Sequence, residues 1–235
     1  MSVVFWDFDG TLAYSESLWS GSVYKALLET DATTSVPFAD IKKHMQYGFT
    51  WHTPEQDYSH LIQDEWWAFM NKHFYESYLK CGVSEGIALA ATSKVRNIIK
   101  RIENYSLYDD TIATLQKVRE MGHTNVILSN NYPDLCEVLD GLQISTYFDG
   151  VVISAREGYD KPRIELFEIA KERFPGNEYY MVGDSQKADI LGGKNAGMRT
   201  ILVHKGYSDE ADFCFDDLYE IIEILSNNII KRSTS

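Results

Sequence analysis

The stretch VVFWDFDGTL, residues 3–12, decides how the chain is read. Val3 to Trp6 is a short apolar run of β-branched and aromatic residues, the composition of a strand buried on both faces. It stops abruptly at Asp7-Phe8-Asp9-Gly10-Thr11, where two carboxylates, two residues apart, precede a glycine. Charge on a tight turn at the end of a buried strand suits a ligand site, because parallel sheets bind ligands outside the carboxyl ends of their strands. Taken alone, a surface Asx turn has the same look, so the remaining strands must supply the context.

They do so from about Asp110 to Asn228. Thr124–Leu128, Val151–Ser154, Tyr179–Val182 and Thr200–Val203 are short β-rich runs, and Phe213–Phe215 reads as a short edge strand. Between them apolar residues recur at helical spacing: Ile112, Leu115, Val118, Met121; Leu135, Val138, Leu142; Ile164, Phe167, Ala170, Phe174; Leu218, Ile221, Ile222, Leu225. Strand–helix alternation of this kind predicts an α/β fold with a doubly wound, Rossmann-like parallel sheet. Residues from Tyr14 to Tyr105 show no such alternation. Tyr58, Leu61, Ile62, Trp66, Phe69, Met70 and Phe74 form one helical stripe, Ile87, Ala91, Val95, Ile98 and Ile102 another, and Val23, Leu27 and Leu28 suggest a third. The expected organisation is a catalytic core of residues 1–14 and 106–235, with an inserted α-helical cap domain over 15–105. Four of the five tryptophans fall in that insert, and their stripe reads as bundle core.

Composition narrows the function. The 235 residues carry 22 Lys+Arg against 35 Asp+Glu, a net charge of −13, so neither nucleic acid nor an anionic membrane is expected as a partner. Three widely spaced cysteines make no disulfide framework and no zinc knuckle. No apolar run approaches the roughly 18 residues that span a bilayer, and the first residues lack the basic start of a signal peptide. A cytoplasmic protein, monomer or homodimer, is the expectation, and the tail Lys231–Ser235 has the composition of a frayed end.

The other strand ends repeat the chemistry of the first. One finishes in Ser129-Asn130-Asn131, small hydrogen-bonding residues; the next is followed by Asp160-Lys161-Pro162; a third finishes in Gly183-Asp184-Ser185, with Asp189 about one helical turn on. Each has an ordinary reading as a helix cap or a solvated charge. Together, and at one sheet edge, they form a cluster of acids that repel one another unless a cation sits among them. Hard oxygen donors suit Mg²⁺, which favours one or two carboxylates plus a phosphate. A lysine, a serine hydroxyl and exposed N–H groups beside it suit a tetrahedral dianion. The residues point to a Mg²⁺-dependent phosphate site.

DFDGT (7–11), LSN (128–130), Lys161-Pro162 and GDSxxxD (183–189), in that order, resemble the four motifs of the haloacid dehalogenase superfamily. The insert between the first and second motifs resembles the helical cap of the phosphoglycolate-phosphatase-like branch. The resemblance implies hydrolysis of a small phosphate monoester, from a small phosphorylated metabolite, through an aspartyl-phosphate. It makes Asp7 the nucleophile and Asp9 the general acid and base. It puts Mg²⁺ on an Asp7 oxygen, the Asp9 carbonyl and Asp184, with Asp189 as a ligand or an orienter of ligands. Ser129, Asn130 and Lys161 would bind the phosphoryl group, Gly10 would let the backbone turn, and Thr11 would orient Asp9.

Rival readings remain. Dehalogenases lack the second acid, so an intact Asp9 disfavours them. Sugar-phosphate mutases keep both acids but usually carry another acid where this chain has Gly183. An aspartate-phosphorylated signalling domain would be shorter and capless, and a non-catalytic binding protein is not expected to keep Asp7, Asp9, Lys161 and Asp184 all intact. Substrate choice is expected to come from the insert, where Trp51 and His52 of the segment Tyr47–His52 are the candidates for the leaving-group pocket. The competing reading packs Trp51 in the bundle and makes His52 a helix cap.

Overall fold

The computed structural model describes the backbone of residues 1–233 and side chains through Ser226, so the side chains of the Lys231–Ser235 tail lie outside the described residues. From the N-terminus the chain runs β1 (Ser2–Trp6), β2 (Ala13–Tyr14), then α1 (Leu18–Leu28), α2 (Phe38–His44), α3 (Asp64–Lys80) and α4 (Glu85–Ile99). It continues through β3 (Ser106–Leu107), α5 (Thr111–Glu120), β4 (Thr124–Ser129), α6 (Leu135–Gly141), β5 (Gly150–Ile153), α7 (Ser154–Glu157) and α8 (Ile164–Arg173). β6 (Glu178–Gly183), a π-helical turn (Gln186–Leu191), α9 (Gly192–Asn195), β7 (Arg199–Val203), β8 (Phe213–Phe215) and α10 (Glu220–Ser233) complete it.

Six strands form one parallel sheet in the order β5-β4-β1-β6-β7-β8. β1 lies between β4 and β6, with Trp6 paired to Ile127 on one side and Val182 on the other. Its alternate residues go to opposite faces, as the pleat requires. Val3 and Phe5 pack with Val126, Leu128, Met181 and the α8 residues Leu166, Phe167 and Ala170. Val4 and Trp6 pack with Ile127, Val182, Leu115 and Val118 of α5, Val138 of α6 and Ile221 of α10. This is the doubly wound α/β fold that the strand–helix alternation predicts, and the predicted edge strand Phe213–Phe215 is β8. Trp6 is fully buried because its indole N–H finds the Asn125 side chain at 3.0 Å.

The helical segment differs from the sequence pattern at its edges. Tyr58, Leu61 and Ile62 precede α3 instead of belonging to it. The helix begins only after Gln63, which sits at φ 54 and donates its N–H to the Ala155 carbonyl of the core at 2.8 Å. Ile102 falls beyond α4 in a 3₁₀ turn, and the short helix α2 has no counterpart among the stripes. Trp66, Trp67, Met70 and Phe74 are buried, and the cluster they join runs without a break into the core through Tyr105 and Tyr132. Polar bonds reinforce that seam. Arg96 of α4 donates to both carboxylate oxygens of Asp134, at 2.8 and 2.9 Å, and the Trp67 indole donates to the same group at 2.8 Å. Among the described residues, no helix is long and apolar enough to cross a membrane.

Candidate active site

Because β1, β4 and β6 are adjacent and parallel, their carboxyl ends deliver Asp7, Ser129 and Asp184 to one edge of the sheet. Asp7 continues the ladder, its N–H bonding to the Val182 carbonyl at 2.9 Å, so the carboxylate projects from a fixed backbone. Lys161 reaches the same edge from the loop after α7, only 2% exposed. An ammonium has three donors, and this one meets Asp7 Oδ1 at 2.9 Å, the Leu128 carbonyl at 2.7 Å and Asp189 Oδ1 at 2.6 Å. Burial works against its charge, but Asp189 and Asp7 outweigh burial and hold its pKa above the ordinary lysine value. The cation that the acid cluster needs is thus partly built into the chain.

Asp9 meets the opposite fate. Burial first, then the charge of Asp7, push its pKa up to about 7, against a bond from the Asn131 amide at 2.7 Å. Two carboxyls two residues apart are thereby split: Asp7 is held by a lysine, while Asp9 keeps a proton near neutral pH. Burial, followed by the charge of Asp7, also raises Asp184, which lies 3.3 Å from Lys205. The turn that follows the two acids depends on Gly10, at φ 84, where a Cβ would come within 2.4 Å of Asp184 Oδ2.

Asp7, Asp184 and Asp189 each bring a carboxylate oxygen within 4.8 Å of the others. Such hard, negatively charged donors fit Mg²⁺. The three are not equivalent. Asp189 accepts from Lys161 through Oδ1 and from the Ser185 N–H through Oδ2 at 3.0 Å, so both of its oxygens already hold protein. Of the two roles the sequence left open for it, orienting the lysine and the 185–189 turn is the one that its bonds describe.

The remaining sequence candidates divide. Ser129 is buried, and its hydroxyl has no hydrogen-bond partner among the described residues, so a donor waits at the end of β4. Asn130 lines the site, but its amide is bonded to the Lys161 backbone at both ends, at 2.7 and 2.9 Å, and fixes the lysine loop. The Thr11 hydroxyl is buried without a partner among the described residues and makes no bond to Asp9; the Thr11 carbonyl lies 3.2 Å from His204 Nε2. Asn131 holds Asp9 instead. The doubled asparagine after Ser129 was the available signal for it. Tyr108 and His204 were missed as well: their rings stack at 3.9 Å, and the Tyr108 hydroxyl reaches the Gly10 carbonyl at 3.4 Å, bracing the turn from outside.

Two adjacent cavities open on these groups. One of about 260 Å³ is lined by Asp7, Asp9, Lys161 and Asp189. The other, about 470 Å³, is lined by Asp9, Gly10 and Asp184 from the core and by Leu18 and Trp19 from the helical segment. Trp51 and Asn130 belong to both walls. His52 belongs to neither; it is exposed beside Tyr47 and Phe49, and no helix starts at Pro54 for it to cap.

A lysine-held carboxylate next to a protonated one, with room for a cation and a dianion, is enzyme chemistry placed at the switch point of a doubly wound sheet. The chain belongs to the haloacid dehalogenase-like hydrolases, whose family model matches residues 1–197. A glyceraldehyde 3-phosphate phosphatase of Pyrococcus furiosus is 32% identical over 48% of this chain and 51% of its own length. A phosphoserine phosphatase of Thermus thermophilus is 31% identical over 65% of this chain and 62% of its own length. The matched part of the chain thus spans between half and two thirds of these relatives. Among solved structures, the hydrolase YfnB of Bacillus subtilis, bound to magnesium, has the same fold, with a TM-score of 0.73 over 96% of this chain and 98% of that one at 20% identity.

Proposed function

We propose that this chain is a Mg²⁺-dependent phosphatase that hydrolyses small phosphate monoesters, with residues 1–14 and 106–235 as catalytic core and 15–105 as cap. The observation that carries the reading is the pair of carboxyls at the end of β1, Asp7 bound to Lys161 and Asp9 buried on Asn131, where burial and the Asp7 charge push its pKa up to about 7. Relatives named as phosphatases of glyceraldehyde 3-phosphate and phosphoserine support the substrate class.

In this reading an Asp7 oxygen attacks phosphorus, and the bond from phosphorus to the ester oxygen breaks. Asp9 gives its proton to the departing alkoxide and becomes a carboxylate. Asn131, bonded to Asp9 Oδ2, keeps that carboxyl in place through both of its protonation states. Asp9 then takes a proton from water as the water attacks the aspartyl-phosphate, which releases inorganic phosphate and restores Asp7. Lys161 holds Asp7 oriented and offsets its charge, and the Ser129 hydroxyl donates to a phosphoryl oxygen. Asp7 and Asp184 would hold Mg²⁺, with Asp189 behind them. When bound, the ion supplies positive charge against the acids and the phosphoryl oxygens.

Hydrolysis is favoured over mutase chemistry by Gly183. A Cβ there would lie 2.2 Å from Asp189 Cγ, so the acid that mutases usually carry has no room. The test is phosphate release from a panel of monoesters, with Mg²⁺ and with a chelator. Wild type should turn over with the metal and stop without it. Turnover that survives Asp7→Asn, or isomerised hexose phosphate without free phosphate, overturns the reading.

A further inference from the structure

The larger cavity has a wall rich in aromatic rings. Four aromatic side chains line it, Tyr14 and Tyr108 from beside the core turn and Trp19 and Trp51 from the helical segment. The wall is pre-formed. Trp51 stacks on Phe49 at 4.6 Å with 16° between the rings, and Trp19 lies 4.8 Å from the same ring. Tyr108 is fixed by its stack on His204 at 3.9 Å. Ordered rings lose little freedom when a ligand arrives, so their contacts are available to binding.

Charge on this wall is just as informative. Among the described residues, Lys205 is the one cation that lines it, and it already lies 3.3 Å from Asp184. The residues contributed by the segment 15–105 are Ser15, Leu18, Trp19 and Trp51, none of them charged. A carboxylate on the leaving group would meet ring faces, whose quadrupole repels anions. A ring would meet surfaces on which it stacks.

From this we infer that the leaving alcohol carries a ring system and no carboxylate, as in nucleoside or arylmethyl monophosphates, and that Trp51 is a specificity-determining residue that stacks on it. The inference rests on the site being a monoester hydrolase, and its test separates the two. Benzyl phosphate, propyl phosphate and 2-phosphoglycolate all leave as primary alcohols, so ring and charge vary while the chemistry does not. Wild type should show a kcat/KM for benzyl phosphate about tenfold or more above that for propyl phosphate, the size of one stacking contact. 2-Phosphoglycolate should be the poorest of the three. Trp51→Phe should keep most of the ring preference, and Trp51→Ala should bring the benzyl-to-propyl ratio of kcat/KM down to about one. If wild type hydrolyses 2-phosphoglycolate as well as benzyl phosphate, or shows no ring preference, this inference fails while the hydrolase reading stands. If no monoester is hydrolysed, both fail.

Discussion

The sheet edge and the helical segment above it meet the same ligand space with opposite physics. At the sheet edge, burial has made every charge consequential, and each is answered: Lys161 by Asp7 and Asp189, Asp9 by a proton and Asn131. In the helical segment the wall is a set of stacked rings around Trp19, Phe49 and Trp51. The first kind of surface fails when one partner is removed, because an unanswered buried charge has nowhere to go. The second tolerates exchange of one ring for another, because every ring offers a π-face on which another can stack.

Four measurements press on that contrast. The largest effect belongs to Asp7→Asn, which should lower phosphate release by at least about 10⁴-fold, as loss of a nucleophile does elsewhere. Circular dichroism should stay native, so a small rate loss would move the nucleophile off Asp7. Next is Lys161→Ala, which leaves Asp7 and Asp189 buried together. A loss of about 3 to 5 kcal/mol in urea unfolding is expected, and a loss under about 1 kcal/mol would show that the acids need no lysine.

The third concerns pH in the metal-free protein. Folding raises the Asp9 pKa from 3.8 to about 7, so between those values the folded chain holds a proton that the unfolded chain has released. The contribution of this group to stability is therefore fullest below pH 3.8 and is lost as pH climbs through 7. Urea midpoints measured across that range should fall more gently in Asp9→Asn than in wild type, and parallel slopes would place the proton elsewhere. The smallest effect is at the seam. Asp134→Ala breaks the bond to partly exposed Arg96 and strands the buried Trp67 indole N–H, for about 2 kcal/mol in all. Thermal unfolding should register it with kcat nearly unchanged, and a large drop in kcat would make the seam part of the site.

Much of the sheet edge was legible beforehand because its signals are local. A strand of two-sided apolar composition followed by a polar residue type is visible within a few positions, and Asp7, Asp9 and Asp184 were named that way; Lys161, in the loop beyond α7, was named only from its order among them. What escaped depends on contacts far apart in sequence. His204 braces the turn at Thr11 across 193 residues, and Asn131 holds Asp9 across 122. The start of α3 was misplaced for a related reason: apolar spacing continues through Tyr58 to Ile62, but the Gln63 N–H is claimed by the core at Ala155. Trp51 was nameable from its place between helices, whereas the wall it shares with Tyr14, Trp19 and Tyr108 exists only once the chain is folded.

The small antiparallel pair of β2 and β3 has a consequence for inheritance. Ala13 pairs with Leu107 and Tyr14 with Ser106, so the chain leaves the core and returns to it at a single doorway. Closing a loop grows dearer only slowly with length, by roughly 0.6 kcal/mol for each doubling. Whatever is threaded between those paired residues, short or long, leaves the register of β1 with β4 and β6 untouched. A lineage can therefore exchange the helical segment while passing on the sheet edge, and the two can be recombined in the laboratory at the same pair of bonds.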